Sequence, residues 1–226
     1  MVIGIISAMD NELELIVNSL ENKQTKDIAG INFYTGQINN HDVIAVICGI
    51  GKVNAAITTA LLINNFNPQL IVNSGIAGGT LGLNTRDIII AEKLTYSDVD
   101  VLAFGYEFGQ VPQMPQYFET DEKYRKLLEK TLTDLNISFK NSLVLTADTF
   151  RSTAKGINNN LPYGYAVEME GAAVAQTCYK MKTPFLSIRF ISDILDSETH
   201  LEDYNSFEKE ASNLSSKITL EFINNN

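Results

Sequence analysis

Residues 166–176 read AVEMEGAAVAQ, small and apolar side chains suited to a buried backbone, yet Glu168 and Glu170 flank Met169 within the stretch. Burying a carboxylate is costly unless something compensates it, so two acids here point to a task beyond packing. Two further acids share the pattern. Asp193 ends the apolar run PFLSIRFISD and is followed by Ile194 and Leu195; half-burial there raises a carboxyl's pKa and lets it hold a proton at neutral pH. Glu12 follows the apolar run VIGIIS by a few residues. A proton-holding acid beside ionised carboxylates is the arrangement that cleaves a glycosidic bond, one acid protonating the leaving group while another activates water. Each residue also has a plainer reading: Glu12 in a first helical turn complements the helix dipole, Glu170 starts a helix, and Arg189, on the same run as Asp193, neutralises one of the acids.

These residues must be positioned by alternating strands and helices. Residues 2–7 read as a buried strand, 10–20 as an amphipathic helix, and 31–38 with the run from 41 onward as a hairpin turned at Asn39 and Asn40. A helix is expected over 53–65, then strands over 69–75 and 87–96. After a loop holding Pro112 and Pro115 come a helix over 121–135, a strand over 142–148, a helix over 171–181, a strand over 184–193 and a closing helix from Tyr204, with a frayed INNN end. The alternation predicts an α/β fold with helices on both faces of one largely parallel sheet, and residues 1–226 as a single domain. Ligands of such folds gather where strands end. Segments 7–12, 49–55, 73–79, 146–150, 168–171 and 189–193 are therefore expected to meet at one cleft. The glycine clusters GIGKVNAA and SGIAGGT lack the spacing of a phosphate-binding loop and fit tight turns that approach a flat ligand closely.

Composition narrows the partners. A net charge of −10 repels nucleic acid and anionic membranes, and no window is long and apolar enough to span a bilayer. A small neutral or cationic ligand fits better. Cys48 and Cys178 sit far apart in apolar stretches without metal-ligand spacing, which reads as buried reduced thiols in a cytoplasmic protein. Neither a metal nor a cofactor is expected.

Six blocks in order, IGIISAM with Glu12, GIGKVNAA, NSGIAGG, AFGYEFGQVP, VEMEGAAVAQ and RFISD, resemble the bacterial 5′-methylthioadenosine/S-adenosylhomocysteine nucleosidases of the purine nucleoside phosphorylase superfamily. The resemblance implies a three-layer sandwich around a central mixed, mostly parallel twisted sheet. It also implies hydrolysis of 5′-methylthioadenosine and S-adenosylhomocysteine, with 5′-deoxyadenosine beside them, to adenine and the 5′-modified ribose, in methionine salvage and by-product recycling. By the same resemblance Glu12 deprotonates the attacking water with help from Arg189, and Asp193, steadied by Ser192, protonates adenine N7. Glu170 accepts the ribose hydroxyls, Met169 lies against the sugar, and Glu168 supports the site. Phe150 stacks on the base and Arg151 offers backbone groups to its edge. Met9, Ile50, Ile76, Ala77 and Gly78 join the substrate-binding set.

Two positions depart from the family pattern: Ile76 replaces a serine that helps hold the acid, and Arg151 replaces an aliphatic residue. The aromatic-rich segment 99–118 is expected to pair two subunits, so that Val101, Phe104 and Pro112 of one cap the 5′-substituent pocket of the other, with Tyr204 or Phe207 closing it from within. Two alternatives have distinct requirements. A phosphate-dependent phosphorylase needs cations where this chain has Glu12, and a non-catalytic nucleoside sensor binds without turnover.

Overall fold

The computed structural model describes residues 1–157, 161 and 164–226. Strand β1 (Val2–Ser7) is apolar almost throughout and buried on both faces from Ile3 onward, as a strand covered on both sides must be. It pairs in parallel with β4 (His41–Ile47) and with β5 (Leu70–Gly79). Strand β3 (Ile31–Ile38) runs antiparallel to β4 through a two-residue turn in which Asn39 and Asn40 have φ of 45° and 62°. Asparagine tolerates that left-handed conformation, and a twisted hairpin needs it.

Strand β2 (Glu21–Ile28) was not expected. It forms the edge beside β3, and every residue except Ile28 is exposed. Its sequence, ENKQTKDI, carries no apolar alternation to announce a strand, and its charges discourage pairing with another sheet edge.

On the other side of β5 the sheet closes on itself. The short β9 (Ala166–Glu168) lies antiparallel to β5 and parallel to β8 (Lys140–Thr146). Strand β8 is parallel to β6 (Ile88–Tyr96), β6 is antiparallel to β10 (Phe185–Ile194), and β10 returns in parallel to β5. The short β7 (Phe118–Glu119) adds to β6. The sheet is thus mixed, and its far half is a ring of strands.

Two apolar cores lie on opposite faces. One includes Ala55 and Leu62 of α2 (Lys52–Phe66) and Ala172 to Ala175 of α4 (Gly171–Met181). The other includes Leu13 and Ile16 of α1 (Asp10–Asn18), Leu128 and Leu132 of α3 (Glu122–Asp134), and Ile218 and Phe222 of α5 (His200–Asn224). Helices α2 and α4 pack together, as do α1 and α5, giving three layers. Helix α5 begins at His200, ahead of Tyr204, and the expected frayed end is helical through Asn224 with Ile223 fully buried. Cys48 and Cys178 are buried free thiols. No described helix is long and apolar enough to cross a membrane.

Candidate active site

The six segments that end strands do converge. One pocket is lined by Ala8 and Met9 after β1, Ile50 after β4, Ile76 to Gly78 at the end of β5, and Thr149 to Arg151 after β8. Val167 to Glu170 of β9 and its exit, Ser192 and Asp193 of β10, and Tyr204 of α5 complete it.

Glu12 belongs to the first turn of α1, but its side chain folds back into the pocket. Oε2 accepts the Ala8 and Met9 N–H groups, each at 3.0 Å, and Oε1 accepts the Ile76 N–H at 3.0 Å. The carboxyl is almost fully buried, and burial raises its pKa while the backbone donors and the Arg189 charge pull it down. A raised but still ionisable carboxylate suits a base that must take a proton from water near neutral pH.

Asp193 owes its placement to an irregularity. The register of β10 on β5 shifts between Ile191 and Asp193, so the strand bulges at Ser192 and delivers the acid to the pocket. Ser192 Oγ donates to Asp193 Oδ1 at 2.6 Å, and His200 Nδ1 lies 2.8 Å from Oδ2. Burial raises the Asp193 pKa, and the neighbouring Asp203 adds to it, against the opposing pull of Ser192 and His200.

The paired acids of residues 166–176 separate into different tasks. Glu168 turns inward: Oε2 accepts Arg189 Nη2 at 2.9 Å, the Glu170 N–H at 2.9 Å and the Gly171 N–H at 2.6 Å, while Oε1 accepts the Thr146 hydroxyl. Its burial is therefore fully compensated. Glu170 occupies the cap position of α4, yet its side chain makes no capping bond there and instead accepts the Gly51 N–H at 2.8 Å. Desolvation and the Glu168 charge push its pKa up to about 8.

A family model described as the phosphorylase superfamily matches residues 2–224. The chain belongs to the phosphorylase superfamily. It is 40% identical over 225 residues to the 5′-methylthioadenosine/S-adenosylhomocysteine nucleosidase of Staphylococcus carnosus (strain TM300), covering 98% of each chain. Among solved structures it resembles the S-adenosylhomocysteine nucleosidase of Streptococcus pyogenes in complex with 5-methylthiotubericidin, at a TM-score of 0.94 and 34% identity over 100% of this chain and 97% of that one. It also resembles the Streptococcus pneumoniae nucleosidase holding a transition-state inhibitor, at a TM-score of 0.93 and 37% identity over 100% and 99% of the two chains.

Two of the expected site residues of this phosphorylase-superfamily chain, Arg189 and Phe207, stand outside the pocket lining. Arg189 does not line the pocket. Its Nη1 donates to Asn73 O at 3.1 Å and Ile188 O at 2.9 Å, and its Nη2 to Glu168 and Asn73 Oδ1, so its pull on Glu12 is through charge and not contact. The plainer reading of Arg189, as the counter-charge of an acid, is the one its contacts show. Phe207 is also outside the pocket, with its ring 4.8 Å from the Arg86 guanidinium, and Tyr204 is the aromatic that lines it. Val101, Phe104 and Pro112, expected at the pocket of a second subunit and not at their own, do not line this chain's pocket, and Phe104 is 80% exposed. Arg151 lines the pocket, and its side-chain Nη2 donates to Ser97 O at 3.1 Å.

Sequence reasoning missed His200. It is buried, touches Asp193, and its ring lies 5.5 Å from that of Phe150. A lone histidine in the polar stretch DSETHLED gives no periodic signal of burial. Ala8, Thr149 and Val167 were also unforeseen as lining residues, although the first two lie within segments expected at the cleft.

Proposed function

We propose that this chain hydrolyses the N-glycosidic bond of 5′-methylthioadenosine and S-adenosylhomocysteine, releasing adenine and the 5′-modified ribose. The observation that carries this reading is the pairing of two buried acids, Glu12 and Asp193, on one pocket: burial raises the pKa of both, and three backbone N–H donors hold Glu12 toward its ionised form. Asp193 gives its proton to N7 as the bond to C1′ breaks, so a neutral base departs. Glu12 takes a proton from the water that attacks C1′. Glu170 and Met169 hold the ribose, and nearby carboxylate charge favours the oxocarbenium-like sugar. Phe150, half exposed and adjoining Asp193 through His200, receives the base face.

The names of the relatives, nucleosidases from several bacteria, support hydrolysis over phosphorolysis. The lining supports it as well, because its described residues include four acids and one cation, Arg151, whose guanidinium is turned to Ser97. A phosphate nucleophile needs the opposite balance. A panel of 5′-substituted adenosines assayed for free adenine tests the substrate class: turnover is expected with methylthio, homocysteinyl and 5′-deoxy substituents, and no turnover of any would leave a binding protein.

The same reading makes residues 1–226 one cytoplasmic domain that works as a homodimer. Segment 99–118 presents Leu102 and Phe104 to the surface, at 55% and 80% exposure, and Val53 and Ile57 of α2 are likewise exposed. The Lys52–Asp98 ion pair at 2.7 Å ties the start of α2 to the chain leading into that segment. Apolar surface of this kind favours a protein partner, and Val101, Phe104 and Pro112 of a second copy would complete the 5′-substituent pocket. Sedimentation on dilution, read beside specific activity, checks this. Activity should fall as monomer appears, and a fully active monomer would contradict the shared site.

A further inference from the structure

His200, a buried titratable group beside Asp193 and Phe150, has no task in that mechanism. His200 is the first residue of α5 and 4% exposed. Its Nδ1 stands 2.8 Å from Asp193 Oδ2, yet neither ring nitrogen has an aligned hydrogen-bond partner among the described residues. Its ring also packs at 5.5 Å against Phe150. One imidazole thus adjoins both the acid and the aromatic that the purine is expected to meet.

The two oxygens of Asp193 are not equivalent. Oδ1 already accepts the Ser192 hydroxyl at 2.6 Å. An oxygen engaged as a strong acceptor is the poorer place for a proton, so the carboxyl proton belongs on Oδ2. That oxygen faces His200. From β5 the acid meets Gly78, where an added Cβ would stand 3.0 Å from Oδ2, so no side chain from that residue can hold the oxygen. The His200 imidazole, at 2.8 Å, stands beside Oδ2.

We propose that His200 is a positioning residue for the acid: before substrate binds, its unprotonated Nδ1 accepts the Oδ2–H of Asp193, which keeps the proton on that oxygen and the carboxyl in place until N7 of the base replaces Nδ1 as the acceptor. The inference rests on the assignment of Asp193 as the acid. In the tautomer that serves this role His200 carries its own proton on Nε2 and gives none up. The Oδ2 proton passes to N7, the electrons of the broken C1′–N9 bond stay with the base, and the proton that Glu12 takes from water returns to Asp193 through solvent after release. No proton is gained or lost over the cycle.

His200→Phe keeps a ring against Phe150 and removes both nitrogens, whereas His200→Asn places an amide near the position of Nδ1. For adenine release from 5′-methylthioadenosine, His200→Phe should lower kcat by about 10- to 100-fold, part of what a general acid contributes, while KM stays within about threefold. His200→Asn should recover most of that loss. Added to Asp193→Asn, His200→Phe should cost less than about threefold, because two residues acting through one proton are not additive. Equal losses with and without Asp193, an asparagine variant no better than phenylalanine, or an unchanged kcat would each overturn the proposal. Should His200→Phe fail to fold, His200→Gln takes its place, since its longer arm puts the amide near Nε2 and not Nδ1. Near-normal turnover by Asp193→Asn alone would remove the acid itself, and this separates failure of the underlying reading from failure of the role of His200.

Discussion

Glu12 Oε1 accepts the backbone N–H of Ile76 at 3.0 Å, joining the first turn of α1 to the end of β5. The bond exists because residue 75 has no side chain: a Cβ on Gly75 would stand 2.7 Å from that same oxygen. The position of the proposed base is thus set by a glycine that is not part of the pocket lining.

Gly75→Ala should therefore displace the Glu12 carboxyl while leaving the strand intact. Misplacing a reacting group by about 1 Å costs on the order of 100-fold, so kcat should drop by roughly that factor with an unchanged circular dichroism spectrum. Wild-type turnover in a folded Gly75→Ala protein would show that Glu12 needs no such close seat.

Glu170 gives a pH dependence whose sign follows from its shift. Its pKa rises from 4.5 to about 8 in the folded protein, through burial first and the Glu168 charge second. Folding favours the protonated form, so the stability from this group is present below about pH 4.5 and is lost as pH rises through about 8. Between pH 5 and 8.5, denaturant unfolding of the ligand-free protein should show wild type losing more stability than Glu170→Gln, which cannot ionise. Parallel losses would mean that Glu170 is not held protonated.

Tyr204 lines the pocket and Phe207 packs under Arg86. Tyr204→Ala should raise KM for 5′-alkylthio substrates, with a loss of about 1–3 kcal/mol in kcat/KM, the scale of an apolar pocket contact. Phe207→Ala should leave the ratio between alkylthio and 5′-hydroxyl substrates unchanged. The reverse pattern would exchange the two roles.

Elements with strong local signals were legible in the sequence. The apolar run of β1, the Asn39–Asn40 turn and the start of α4 at Gly171 stand where periodicity and turn chemistry put them. Strand β2 was hidden because an exposed edge strand needs no apolar face. Strand β9 was hidden because it is three residues long and paired through both its neighbours in space, none of them near in sequence. The convergence of the strand-end segments followed from the rule that parallel sheets open at their carboxyl ends. The partition of Glu168 from Glu170 did not, since it depends on Arg189 and Gly51, which reach them from other elements. His200 was invisible for the same reason, as only the entry of α5 brings it to Asp193.

The central claim is that Asp193 protonates the leaving base while water attacks the sugar, and it is tested most directly by adenine release from 5′-methylthioadenosine in phosphate-free buffer, wild type beside Asp193→Asn. The account predicts rapid release of one adenine per reducing sugar, no acceleration by added phosphate, and a rate about 100- to 10,000-fold lower in the variant. Adenine that appears only with phosphate, alongside a sugar 1-phosphate, or near-normal turnover by Asp193→Asn, would contradict it.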